Sequence, residues 1–169
     1  MSLTQHSISR IELVNYEEKH NEVLYSFQLP PEQGQFTGLP QEMLPVIKES
    51  AWKVPIVIMH NEIPVGFFIL ETGQRVKDHT DEAHAMLLTA FSIDHRHQGQ
   101  GFAKQGLLLL PDFVSRHFAE IREVVLAVNH KNTAAFHLYT KVGFQDQGKR
   151  RIGPLGEQII LHLPITKNI

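Results

Sequence analysis

The spacing of apolar residues changes along the chain, and each change predicts a different kind of element. Residues Ile8 to Val14 alternate loosely between apolar and polar side chains, which predicts a first strand. Apolar residues from Tyr16 to Phe27 and from Gln41 to Trp52 recur at helical spacing, with Pro45 in the first turn of the second helix. The proline-bounded stretch from Pro31 to Pro40 predicts a loop between these helices.

The period of the pattern changes to two after these helices. Two runs of β-branched and aromatic residues, Val54 to Met59 and Val65 to Leu70, predict a hairpin whose loop is His60 to Pro64. The polar stretch from Gly73 to Glu82 predicts a mobile loop. Residues Ala85 to Ile93 are almost continuously apolar, so we expect a strand buried on both faces at the centre of a sheet.

A helix is predicted from Phe102 to Phe118, where apolar residues recur at steps of three and four. Pro111 lies inside that pattern, so a kink or a break is expected near Leu110. The remaining elements are a buried strand over Glu123 to Val128, a helix from Asn132 to Gly143, a strand from Phe144 onward and a last strand over Glu157 to Leu163. This order predicts a mixed α/β sheet.

Length and charge exclude several functional classes. A chain of 169 residues can bury a full core, and we expect residues 1–169 to form a single domain. The 16 Lys and Arg against 18 Asp and Glu give a formal charge of −2, which argues against a nucleic-acid partner. The absence of cysteine excludes a disulfide framework, a zinc ribbon and a thiol nucleophile.

The apolar runs are too short for a membrane protein. None of them, including Leu107 to Leu110, approaches the roughly 20 residues that cross a bilayer. The polar stretch from Met1 to Arg10 does not resemble a secretory signal. We therefore expect a cytoplasmic protein with no membrane partner.

The stretch from Ile93 to Lys104 carries the clearest chemical signal. It runs from the predicted central strand through a turn with Gly99 and Gly101 into a helix. Backbone N–H groups converge at such a helix start, and glycines let phosphate oxygens approach them, so a phosphate or pyrophosphate ligand is expected. Lys104 lacks the neighbours of a Walker loop and stands where a dinucleotide fingerprint needs its third glycine.

The signature Gln/Arg-x-x-Gly-x-Gly/Ala fits this stretch in two registers. One uses Gln98, Gly101 and Ala103, and the other uses Arg96, Gly99 and Gly101. The distance from Ile93 favours the first register. A second motif, Asn-x-x-Ala-x-x-Leu-Tyr-x-x-x-Gly-Phe, matches from Asn132 to Phe144. On these two linked motifs the chain resembles the GCN5-related N-acetyltransferases, the GNAT family, from Ala85 to Phe144.

The resemblance implies the acyl-CoA N-acyltransferase fold, a single-domain mixed central sheet with two splayed central strands and flanking helices. It also implies acetyl-CoA as cosubstrate, with no metal. Residues implied to hold acetyl-CoA are Phe91, Ser92 and Ile93 through their backbone, Gln98, Gly99, Gln100, Gly101, Phe102, Ala103 and Lys104 around the pyrophosphate, and Asn132 on the arm. Tyr139 is the implied catalytic residue, a phenol that donates a proton to the departing thiolate.

The general base is left open at this point. Many relatives carry a glutamate on the central strand where this chain has Leu87, which cannot accept a proton. Glu82, His84 and Glu71 are alternatives, as is a chain of water molecules. The sequence His95-x-His97 lacks a third metal ligand and is interpreted as a solvated turn.

The acceptor is expected to be a primary amine, of a small molecule rather than of a protein. Pro31-Glu32-Gln33 and Phe36 loosely resemble bacterial polyamine acetyltransferases. A polyamine would need acidic groups, and the candidates are Glu17, Glu18, Glu32, Glu42 and Glu49, although solvated helix faces explain them better. A homodimer is an option. The alternative function is a CoA-binding sensor or interaction module without turnover, because the strand glutamate is missing.

Overall fold

The computed structural model describes residues 9–47 and 50–166. Within them a seven-stranded sheet runs through the molecule in the order β1-β2-β3-β4-β5-β7-β6. The strands are β1 Ile11–Asn15, β2 Lys53–His60, β3 Ile63–Glu71, β4 Ala85–Ile93, β5 Glu123–Asn129, β6 Gln145–Gly153 and β7 Gly156–Pro164. The strand predicted over Ala85 to Ile93 is confirmed with the same bounds, whereas β1 begins later than predicted. Ile8 and Glu49 lie outside the described residues.

The helices flank this sheet and are shorter than the apolar pattern predicted. They are α1 Asn21–Leu24, α2 Pro31–Gly34, α3 Pro40–Ile47, α4 Gln74–Lys77, α5 Phe102–Leu108, α6 Leu110–His117 and α7 Thr133–Lys141, with short 3₁₀ turns at Glu18–His20 and His95–His97. In the part of the chain that is described, no helix is long and apolar enough to cross a membrane.

The helix predicted over Tyr16 to Phe27 is wrong in extent. The N–H groups of Ser26 and Phe27 donate to carbonyls three residues back, which ends the regular helix after Leu24. The second predicted helix is described over Pro40–Ile47, residues 51–52 form a turn, and Pro45 lies inside α3 rather than in its first turn.

The two predicted loops contain short helices, so both predictions need correction. Pro31 begins α2, since proline suits a first helical position. The segment from Gly73 to Glu82 forms α4, and it packs against the sheet through buried Val76, His79 and Thr80. Burial of these side chains explains why a polar stretch is ordered in this way.

The predicted break near Leu110 is confirmed. Helix α5 ends at Leu108, and α6 begins at Leu110 with Pro111 in its first turn, where its missing N–H costs nothing. The hairpin of β2 and β3 is also confirmed, with a tighter turn than predicted. Its two turn residues, Asn61 and Glu62, have φ angles of 47° and 70°, the positive values that a two-residue hairpin favours.

The core lies in two layers, one on each face of the sheet. Helices α5, α6 and α7 cover one face, where the largest cluster of buried side chains includes Phe68, Leu107 and Tyr139. On the other face α1 and α3 cover a smaller cluster that includes Leu24 and Phe67. The central strands are therefore buried on both faces, as the apolar character of β4 predicted.

Two glycines let α5 lie close to the sheet. A Cβ atom at Gly106 of α5 would be 3.0 Å from Ile58 Cδ1. A Cβ atom at Gly66 of β3 would be 2.6 Å from Ile93 Cδ1 and 2.8 Å from Ile58 Cδ1. These contacts fix the position of the helix that carries the glycine turn at its start.

Substitution of Gly66 by alanine tests this packing. We expect Gly66→Ala to lower the free energy of unfolding by about 1–3 kcal/mol, the usual cost of overfilling a packed core. Gly34→Ala is the control, because nothing lies within 4 Å of the new methyl group, and its effect should stay within about 1 kcal/mol. Urea denaturation measures both, and equal stability of the two variants would contradict the proposed close packing.

Candidate active site

The site begins where two central strands separate. Parallel strands β4 and β5 pair only at Ala85 with Glu123, Met86 with Val124 and Leu87 with Val125. Beyond these pairs the strands diverge, and a cavity of about 840 Å³ opens between them. Residues 88–93 of β4 and 126–129 of β5 line it, so their facing backbone edges border the cavity rather than each other. The implied splay of two central strands is confirmed.

A β-bulge lies in the opened part of β4. Phe67 of β3 pairs with Ser92 and Ile69 pairs with Thr89, so Ala90 and Phe91 together face the single residue Phe68. Ala90 has a φ of 53°, which is unusual for a residue with a Cβ atom. A bulge bends its strand. This one was not predicted, because alanine carries no sequence signal for such a conformation.

The predicted glycine turn borders the same cavity. Gly99 and Gly101 have φ angles of 78° and 81°, and Gly101 precedes the first residue of α5. The first N–H groups of a helix have no acceptor in a preceding turn, so they can donate to a ligand. Of the residues implied to hold acetyl-CoA, those that line the cavity are Phe91, Ser92, Ile93, Gln98, Gly99, Gly101, Phe102, Ala103, Lys104 and Asn132. Gln100 belongs to the turn but does not line the cavity.

The side chain of Gln98 connects three parts of the site. Its Nε2 donates to the Ile93 carbonyl at 2.9 Å and to Gln33 Oε1 at 2.9 Å, and its Oε1 accepts from Gln33 Nε2 at 3.2 Å. This pair of side-chain amides joins helix α2 to the glycine turn. Gln33 was not predicted as a partner of Gln98, since nothing local in the sequence relates residues so far apart.

Asp94 also connects the segment before α2 to the turn that follows β4. Its carboxylate is completely buried, accepts from the Gln28 N–H at 2.9 Å and pairs with Arg96 Nε at 2.7 Å. Arg96 also donates to Ser26 Oγ at 2.8 Å. Arg96 therefore has a structural role here. Sequence reasoning considered it only as an alternative first residue of the signature.

Asn132 and Tyr139 approach the cavity from α7. The Asn132 side chain caps α7 by accepting from the Ala135 N–H at 3.3 Å, as an N-cap asparagine commonly does. Tyr139 lines the cavity and is 8 % exposed, with ring centroids 6.1 Å from Phe91 and 5.6 Å from Phe144. Burial raises the pKa of the Tyr139 phenol above its ordinary value, so the hydroxyl stays protonated near neutral pH.

The three candidate bases lie in different places. Glu82 and His84 precede β4 at its closed end and do not line the cavity. Glu71 is 2 % exposed, and its carboxylate lies 3.3 Å from Arg75 Nη1 and 3.5 Å from the hydroxyl of Thr89, which lines the cavity. Leu87 is buried beside α4 and opposite Glu71.

Metal ligands are not grouped in the described residues. Within 9–47 and 50–166, no three His, Asp or Glu side chains are arranged to hold an ion.

The comparisons with known proteins agree with the two motifs. The family model described as Acetyltransferase (GNAT) family matches residues 21–144. A curated protein of Bacillus subtilis (strain 168), the uncharacterized N-acetyltransferase YbbJ, is 45 % identical over 153 residues, which cover 90 % of this chain and 96 % of that protein. The chain belongs to the GNAT acetyltransferase family. The predicted family, the N-acetyltransferase class and acetyl-CoA as cosubstrate are confirmed.

Solved structures support the fold of this acetyltransferase. AAC(6')-Ib in complex with acetyl-CoA matches with a TM-score of 0.73 at 17 % identity, over 91 % of this chain and 93 % of that one. Spermidine N-acetyltransferase from Vibrio cholerae, solved with CoA and spermine, matches with a TM-score of 0.69 at 16 % identity, over 93 % and 96 % of the two chains. The predicted mixed sheet with splayed strands is confirmed.

The glycine turn can be tested with a matched pair of variants. Gly99 and Gly148 both have positive φ, of 78° and 89°, and nothing lies within 4 Å of an added Cβ at either. Each alanine variant should lose about 1–2 kcal/mol of stability from the left-handed conformation alone. Only Gly99→Ala should weaken acetyl-CoA binding, by roughly tenfold, because a displaced hydrogen bond to a charged group is worth about 1.5–3 kcal/mol.

Calorimetric titration with acetyl-CoA measures the difference, and thermal unfolding checks that both variants are folded. Equal affinities of Gly99→Ala and Gly148→Ala would show that the glycine turn does not contact the pyrophosphate.

Proposed function

We propose that this enzyme transfers the acetyl group of acetyl-CoA to the primary amine of a small molecule by direct attack on the thioester. The observation that carries the proposal is the cavity itself. It runs between the opened strands and borders both family motifs as well as five residues in and around α2, which are Leu29, Gln33, Gln35, Phe36 and Thr37. A ligand held by the motifs and a second ligand held by those five residues would therefore share one continuous space.

The acetyl-CoA contacts are assigned from the backbone. The edge of β4 that faces β5 has no strand partner after Leu87, which supports a contact with an extended pantetheine arm along Phe91, Ser92 and Ile93. The N–H groups from Gly99 to Lys104 suit the pyrophosphate. The open space at Gly99, where no atom lies within 4 Å of a Cβ position, is consistent with that fit.

The reaction forms a C–N bond and breaks a C–S bond. The amine must first give up a proton, because an alkyl amine with a pKa of about 10.4 is mostly charged at neutral pH. Its lone pair then attacks the thioester carbonyl, whose oxygen gains charge that backbone N–H donors can stabilise. The sulfur leaves as thiolate, the nitrogen gives up a second proton as the amide forms, and the thiolate takes one proton from water.

Tyr139 is proposed to donate a hydrogen bond to the departing sulfur. A thiol with a pKa of about 8.5 is a stronger acid than a phenol of about 10, and burial raises the pKa of Tyr139 further. The phenol therefore keeps its proton at rest and presents it when negative charge develops on sulfur. Its packing against Phe91 holds the ring in place.

No side chain is assigned as the direct base. Leu87 cannot serve, and Glu71 reaches the cavity only through Thr89 at 3.5 Å, longer than a normal hydrogen bond. We propose that the acceptor loses its proton to water. We also propose that residues 1–169 form a single domain and that the enzyme is cytoplasmic.

Thiol release tests the function. With acetyl-CoA and a panel of small primary amines, we expect free thiol to appear only when an acceptor amine is present, together with an equal amount of acetylated amine by mass spectrometry. Acetyl-CoA binding without thiol release for every amine would instead favour a binding module without turnover.

A conservative variant tests the role of Tyr139. Tyr139→Phe removes the hydroxyl and keeps the ring, so kcat should fall by about 10²-fold or more while acetyl-CoA affinity is unchanged. The control is Tyr25→Phe, since Tyr25 is 46 % exposed and does not line the cavity. Unchanged kcat in Tyr139→Phe would remove the phenol from the mechanism, and a rise in KM for acetyl-CoA alone would make it a binding residue.

A further inference from the structure

The acceptor side of the cavity is formed by uncharged polar groups. We define this side as Leu29, Gln33, Gln35, Phe36 and Thr37 together with Thr89, Ala127 and Gln158. Leu88, Leu126 and Ile159 belong to the cluster beneath α5 to α7, so alternation along the strands puts Thr89, Ala127 and Gln158 on the opposite face. The polar side chains of the acceptor side are Gln33, Gln35, Thr37, Thr89 and Gln158.

Carboxylates are missing from the cavity wall within residues 9–47 and 50–166. Of the acidic residues considered for a polyamine site, Glu17, Glu18 and Glu42 are exposed and lie outside the wall. Glu32 borders only a smaller adjoining cavity, which Lys131 also borders. Glu71 lies behind Thr89, and Arg75 balances its charge at 3.3 Å.

The charged groups that do reach the cavity are basic. Lys104 lies in the wall near the glycine turn. On the acceptor side, Arg151 Nη1 donates to Gln158 Oε1 at 3.2 Å, which brings a guanidinium directly behind the wall. A second ammonium group on the acceptor would thus lose water without meeting a carboxylate of the described wall and would approach the Arg151 guanidinium, both of which are unfavourable.

The same lining affects how the reacting amine becomes neutral. With no carboxylate in the described wall to take its proton, an acceptor that is already largely neutral has the advantage. An α-amino group has a pKa of about 7.7–8.0, against about 10.4 for an alkyl ammonium, so its free fraction near neutral pH is roughly 10²-fold larger. A cavity wall without carboxylates therefore favours an acceptor that has low basicity and carries only one positive charge.

We infer that the acceptor is a small monoamine of low basicity whose other polar groups are neutral amides or hydroxyls. This inference rests on the proposed function and names its substrate class. The amide groups of Gln35 and Gln158 match such a ligand, since a neutral amide can donate to and accept from another amide or a hydroxyl. The Gln158 carbonyl is engaged by Arg151, whereas its NH₂ group has no partner among the described residues.

Three acceptor amines test the inferred substrate class. Their acetylation is compared at about pH 8, close to the α-amino pKa. Glycinamide has one amine of low basicity beside an amide, ethanolamine has one strongly basic amine beside a hydroxyl, and spermidine has several strongly basic amines. We expect kcat/KM to fall in that order, with glycinamide at least about tenfold above spermidine. Spermidine equal to or above glycinamide would overturn the inference, as would ethanolamine equal to glycinamide.

A charge-changing variant tests whether the cavity wall sets this preference. Gln35→Glu adds a carboxylate on the acceptor side and should raise the kcat/KM of spermidine relative to glycinamide by about two- to fivefold, the range for an exposed ion pair. Gln147→Glu is the control, because Gln147 is exposed on β6 outside the cavity.

No change in Gln35→Glu, or an equal change in Gln147→Glu, would contradict the assignment to the wall. Thiol release with none of the three amines, in a protein that binds acetyl-CoA, would overturn the proposed function and this inference with it. Acetylation of glycinamide and spermidine at equal efficiency would overturn the inference alone.

Discussion

The early end of hydrogen bonding between β4 and β5 is the constraint on which the site depends. Three residue pairs hold the two strands together at one end, and none does so beyond Leu87 and Val125. Backbone groups within a sheet normally have partners, so an opened pair of central strands is stable only where other groups can take those places. The cavity, the exposed edge of β4 and the position of Tyr139 all follow from this separation.

The separation is maintained by structure on both sides of it. The bulge at Ala90 bends β4, and the left-handed conformation there costs about 1–2 kcal/mol for a residue other than glycine. Rings of Phe68, Phe91 and Tyr139 pack next to one another and hold the bent strand against α7. Beneath the glycine turn, Gly66 and Gly106 let α5 approach the sheet closely. Strain at one residue is thus balanced by packing of its neighbours.

The features that could be predicted from the sequence are those whose chemical cause lies within a short stretch of the chain. The buried strand Ala85–Ile93, the glycine turn, the Asn132 cap and the helix break at Pro111 could all be predicted, because each has its cause within a few residues. The bulge at Ala90 and the Gln33–Gln98 pair could not, since both are set by tertiary packing. The end of the first helix was wrong for a related reason, because Phe27 is buried in the core beyond the last turn of α1.

The amide pair of Gln33 and Gln98 makes the two binding regions thermodynamically dependent on each other. Gln98 belongs to the glycine turn, and Gln33 belongs to the α2 segment that borders the same cavity. A ligand that reorients Gln98 also changes the energy of segment 26–33, which the buried Asp94 ties to the same turn. Linkage is reciprocal, so whatever acetyl-CoA does to acceptor affinity, the acceptor does equally to acetyl-CoA affinity.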